Sequence, residues 1–99
     1  VVGLVIYYSE QYGIDPALPL AIVKCESNFE RYAKNPNSSA KSYFQFINGT
    51  WKYTMGEMGL ATSTDVFDTD THIMAGVWLL ANEGERHWSE SKACWSKSV

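Results

Sequence analysis

From about Asp70 to Asn82 the chain reads D-T-H-I-M-A-G-V-W-L-L-A-N, and at helical spacing Ile73, Ala75, Gly76, Val77, Leu79 and Leu80 leave almost no polar side. A helix that is apolar nearly all round cannot lie on a surface. It must be covered by other elements, and Gly84 is available to end it. Gly76 costs such a helix about 1 kcal/mol relative to alanine, so with Ala75 it predicts that another helix approaches closely there.

The rest of the sequence supplies the cover. Its 99 residues suffice for one domain, read as 1–99, with a modest core. A hydrophobic content of 45%, 14% aromatic residues and no low-complexity tract predict a folded globule. Residues 2 to 12 read as a helix with Leu4, Val5, Tyr8 and Tyr12 on one face and Gly13 at its C-terminal cap. Thr50 reads as the N-cap of a helix closed by Gly59, with Trp51, Met55 and Met58 sharing a face, and Ser89 as the N-cap of a final turn carrying Cys94 and Trp95. Between these lie polar loops over 27–39 and 61–71, and an aromatic stretch, 40–47, that reads as a short extended segment or helical turn. The pattern predicts an all-α fold of about five helices with little or no sheet.

A further helix follows Asp15 and Pro16, which suit its cap and first position. On it Leu18, Ala21, Ile22 and Cys25 form an apolar arc, and Glu26 falls inside the edge of that arc while Lys24 points away. A carboxyl on an apolar face at a helix end is partly desolvated, which raises its pKa, and a general acid needs that property. The bland alternative is a solvated helix-end glutamate.

The net charge of −3, with basic residues scattered singly, leaves no electrostatic footprint for nucleic acid. Cys25 and Cys94 permit one disulfide in an oxidising compartment; in a reducing one they are buried thiols. Bonded, they would close a loop of about 70 residues and stabilise the fold by roughly 4 kcal/mol in the chain-entropy model. Asp65, Asp68 and Asp70 lack the glycine and closing glutamate of a calcium loop, and His72 and His87 have no partners at metal-ligand spacing, so no metal and no cofactor are expected. Val1 to Tyr8 is far too short to span a membrane.

Five stretches, C-E-S-N-F at 25–29, N-P at 35–36, S-A-K-S-Y-F-Q-F at 39–46, T-W at 50–51 and A-G-V-W-L at 75–79, together resemble the lytic transglycosylase domain of the soluble (SLT) type, a small lysozyme-like fold with a substrate cleft. The resemblance covers about 70 residues, with the three family blocks in order. It implies cleavage of the β-1,4 bond between N-acetylmuramic acid and N-acetylglucosamine in peptidoglycan, with Glu26 as the only catalytic carboxylate, first acid and then base, and a 1,6-anhydro product. It also implies that Gln45 hydrogen-bonds the substrate, that Ser27 orients the turn, that Asn28 and Asn35 reach sugar N-acetyl groups, and that Tyr43, Phe44 and Trp78 are candidates to stack on sugar rings. The partner is then the glycan strand and the setting extracytoplasmic (secreted, periplasmic or wall-associated), with no leader in this chain; the sequence leaves the oligomeric state open, and a monomer is the default expectation. The tail W-S-x-S-x-x-C-W and a cysteine before the glutamate also resemble small bacterial members, which favours pairing Cys25 with Cys94.

Two departures stand out. Ser42 occupies a place where the family has glycine, and Trp78 and Leu79 stand where a third-block tyrosine is usual. Two other functions fit the same fold: hydrolysis, with a water held by Asp65, Asp68 or Asp70, and sugar binding without turnover. A helical interaction domain with chance motif matches is a further alternative.

Overall fold

The computed structural model describes residues 1–98. Its helices are α1 (Val2–Tyr12), α2 (Ala17–Ser27), α3 (Asn48–Glu57), α4 (Thr69–Glu83) and the short α5 (Lys92–Trp95); a 3-10 segment, Gly84–Ser91, joins α4 to α5. Extended structure among the described residues is confined to isolated bridges of Lys41 with Lys34 and with Phe46.

The apolar helix is central, as its pattern requires. Along α4 the residues Ile73, Ala75, Val77 and Leu79 are fully buried, with α1 packed along the helix and α2 and α3 also against it. Asp68 caps it: Oδ2 accepts from the Thr71 backbone N–H at 3.1 Å and from its hydroxyl at 2.6 Å. α1 ends where Gly13 turns left-handed at φ 73°. The chain re-enters α2 as Asp15 Oδ1 accepts from the Ala17 N–H at 2.9 Å.

Three local expectations are corrected. The neighbour that Gly76 admits is the ring of Phe44, not a helix: a Cβ built on Gly76 would lie 2.2 Å from Phe44 Cδ2. α3 starts at Asn48, not after Thr50, because Ser39 Oγ reaches across from the preceding loop and accepts from the Asn48 N–H at 2.9 Å. Ser89 does not cap the final turn; it lies within the 3-10 segment.

His72 joins α4 to the 41–46 turn. It is fully buried, with ring centroids 5.2–5.9 Å from those of Tyr43, Phe44, Phe46 and Trp51. Its Nε2 accepts from the Phe44 backbone N–H at 2.9 Å, so Nδ1 carries the proton and donates to Val66 O at 2.9 Å. Burial holds the imidazole neutral, its pKa pushed down to about 4.

Candidate active site

Glu26 stands in the last turn of α2, half-buried, on the lining of a cleft of about 710 Å³. Phe44, Phe46 and Trp88 give the cleft buried aromatic surface, and Asn35, Asn37 and Ser38 come to it from the loop after α2. Ser89, Glu90 and Ser91 come from the 3-10 segment. That segment is brought there by the tail, since Cys94 on α5 is bonded to Cys25, next to Glu26.

Trp88 sets the segment's path. Its backbone leaves helical geometry at φ −118°, ψ 20°. Its indole donates to Phe44 O at 3.0 Å, and its carbonyl accepts from the Trp95 indole at 3.1 Å. Ser91 is thereby placed with its Oγ 2.6 Å from Glu26 Oε2 and 3.2 Å from Trp88 O.

Desolvation raises the pKa of Glu26. The hydrogen bond from Ser91 acts against that shift, and the charge of Glu90 adds to it; the outcome is a carboxyl held above its ordinary range.

The backbone around the cleft is unusual. Asn28, Phe29, Ser42 and Gln45 all have positive φ, between 51° and 67°. Such conformations cost non-glycine residues roughly 1–2 kcal/mol each, and they persist where surrounding bonds hold them. Gln45 shows how: its Nε2 donates to Ala33 O at 3.1 Å and to Ser42 O at 2.8 Å, which ties the two sides of the loop together.

The family model of the transglycosylase SLT domain matches residues 3–94. The chain belongs to that family. Among solved structures, this SLT domain is similar to the X-ray structure of an inactive mutant, carrying one glutamate-to-glutamine substitution, of the lytic transglycosylase Slt from Pseudomonas aeruginosa. The TM-score is 0.73 at 20% identity over 97% of this chain, and the match covers 16% of that one. At that identity the likeness shows the fold, which is the lysozyme-like all-α arrangement the motifs implied. No match was found among curated proteins.

Of the residues to which the resemblance pointed, Glu26, Asn35, Phe44 and Gln45 line the cleft of the SLT domain. Four others lie outside that lining. Ser27 is buried and its hydroxyl donates to Val23 O at 3.0 Å, one helical turn back. Asn28 is the left-handed residue that ends α2. Tyr43 is buried beside His72, its hydroxyl 3.3 Å from Thr69 Oγ1. Trp78 packs half-buried against the core. Gln45 reaches the cleft with its amide hydrogens already used, so its side-chain oxygen is what it offers a ligand.

The aspartates that might have held a water are used elsewhere. Asp65 Oδ1 accepts from the Phe67 N–H, Asp68 caps α4, and Asp70 Oδ1 accepts from the Tyr8 hydroxyl at 2.7 Å. Residue-by-residue reading missed Ser91, Glu90 and Trp88. Their signal was indirect: a disulfide from Cys94 to Cys25 would pin this tail beside Glu26.

Proposed function

We propose that this SLT domain is a peptidoglycan lytic transglycosylase in which Glu26 acts first as acid and then as base. The observation that carries the reading is a half-buried carboxyl on the cleft, held towards its protonated form and hydrogen-bonded to Ser91. Protonated Glu26 gives its proton to the glycosidic oxygen as the bond to C1 of N-acetylmuramic acid breaks. The carboxylate then takes the proton of that sugar's C6 hydroxyl, whose oxygen closes on C1. A 1,6-anhydro ring forms, no water is consumed, and Glu26 ends protonated.

Ser91 suits both halves of this cycle. With Glu26 ionised, the Ser91 hydroxyl donates to Oε2. With Glu26 protonated, the same oxygen accepts from the carboxylic acid and turns its own hydrogen towards Trp88 O, 3.2 Å away. A partner that serves both states holds the carboxyl in place throughout, while as a donor it favours the ionised form.

Glu90 is the other carboxyl on the cleft lining among the described residues, and hydrolysis would need it to position water. The disulfide suits an oxidising, extracytoplasmic setting, and no helix of the described residues is long and apolar enough to cross a membrane.

The test is mass spectrometry of muropeptides released from purified peptidoglycan under non-reducing conditions. Anhydro ends from the wild type and none from Glu26→Gln are expected; one glutamate-to-glutamine change accompanies inactivity in the Pseudomonas protein. Reducing ends that vanish with the mutation would replace the mechanism with hydrolysis. No release from a folded wild type would leave a sugar-binding module.

A further inference from the structure

Beside the cleft, a second pocket of about 330 Å³ opens between α3 and the start of the 3-10 segment. Thr50, Arg86 and His87 line both spaces, so the two adjoin. At its centre is Glu83, the last residue of α4, 14% exposed. Glu83 Oε1 accepts from Arg86 Nη2 at 2.5 Å and from His87 Nε2 at 3.0 Å; Oε2 accepts from the Tyr53 hydroxyl at 2.5 Å.

This arrangement leaves more donor than acceptor capacity unused. Both oxygens of Glu83 are taken. Arg86, 68% exposed, has one of its five N–H groups engaged among the described residues, by Glu83. The ring of Tyr53, 46% exposed, is anchored by its hydroxyl beside the same pocket. A planar guanidinium beside an aromatic face fits a carboxylate on a larger, partly apolar molecule.

Charge along the groove points the same way. Glu90 lies at the Glu26 end of the cleft, while Arg86, the one guanidinium or ammonium on either lining among the described residues, lies where the cleft meets the second pocket. From Arg86 to Ser91 the segment covers at most about 10 Å, at roughly 2.0 Å per residue, since it kinks at Trp88. Glu83 offsets the charge of Arg86, so what the pocket offers a carboxylate is the unused N–H groups of the guanidinium, away from Glu90.

We propose that the pocket formed by Tyr53, Glu83, Arg86 and His87 is a subsite for a carboxylate carried on the glycan strand, with Arg86 as the residue that binds it. It sets which way round, and with which substituents, a strand lies across Glu26. The inference rests on the reading that the cleft takes a glycan.

The test titrates three probes into the protein by calorimetry, in a Glu26→Gln background that prevents turnover. They are neutral chito-oligosaccharide, peptidoglycan strands stripped of peptide, which keep the carboxylate of the lactyl ether, and strands still bearing peptides. Arg86→Gln should weaken binding of carboxylate-bearing strands about tenfold more than binding of the neutral oligomer, the size of one charge-assisted pair partly in water. Arg86→Lys should recover part of that loss. A selective loss already present on stripped strands assigns the carboxylate to the lactyl group; one confined to peptide-bearing strands assigns it to the peptide. An equal change on all three probes, or none on any, overturns the proposal. If the preference holds but the wild type cleaves no strand, the transglycosylase reading falls and the subsite stands.

Discussion

Gly76→Ala isolates the contact between the central helix and the aromatic residue under the cleft. The added Cβ would sit 2.2, 2.4 and 2.6 Å from Phe44 Cδ2, Cε2 and Cγ. Carbon contacts begin near ~3.5 Å, so the ring would have to retreat by about 1.3 Å. It has little freedom to do so. Phe44 is 1% exposed, its N–H is bonded to His72 and its carbonyl to the Trp88 indole. Overpacking at a pinned site costs about 3 kcal/mol, while alanine returns about 1 kcal/mol of helix propensity, leaving a net loss of about 2 kcal/mol. For a domain of this size that lowers Tm by roughly 10 °C. Gly56→Ala is the matched control, since a Cβ there meets nothing within 4 Å. It should gain about 1 kcal/mol and raise Tm by a few degrees. Thermal denaturation of the oxidised proteins, followed by circular dichroism, measures both. A Gly76→Ala protein that melts at or above wild type would refute the packing argument.

Three further outcomes are expected. Because His72 titrates near 4 when folded and 6.5 when unfolded, its contribution is complete above pH 6.5 and is lost as pH falls towards 4, a difference of about 3 kcal/mol; an imidazole NMR signal that titrated near 6.5 in the folded protein would contradict this. Ser91→Ala removes the bond that lowers the Glu26 pKa and Glu90→Gln removes a charge that raises it, so the alkaline limb of the cleavage profile should move up in the first and down in the second; limbs that stay put would separate Glu26 from the acid step. Ser42→Gly relieves a residue at φ 67° and removes a buried hydroxyl without a hydrogen-bond partner, for a gain of about 2 kcal/mol by urea denaturation; a loss of stability would mean that the hydroxyl is satisfied.

What the sequence made legible follows the range of the forces involved. The long helices were readable because their apolar spacing and stop signals are local; Gly13 and Gly84 end α1 and α4 where expected. Glu26 was readable because a carboxyl inside an apolar arc is a contradiction within a single helix. Its partner was not, because Ser91 lies 65 residues away and arrives through a bent 3-10 segment with no helical periodicity. Tyr43 and Trp78 were expected among the sugar-facing aromatics because composition does not say which side of a turn or helix faces solvent. Their burial was decided by His72 and the core around α4. Ser42 was flagged as a departure from glycine, and its positive φ is the conformation that makes glycine suitable there.

The Cys25–Cys94 bond also bears on the order in which this domain comes together. Helical proteins fold fast when their contacts are local, yet here α1 reaches α4 through Tyr8 and Asp70, 62 positions apart, and Glu26 meets Ser91 across 65. Neither contact can form until most of the chain has been synthesised, and the second depends on the last turn of the tail. The surroundings of Glu26 are thus completed late, after the scaffold that carries it. A chain cut short before Cys94 would lose the tether, the buried Trp95 and the means of placing Ser91 together, so the last turn of the tail serves the core and the site at once.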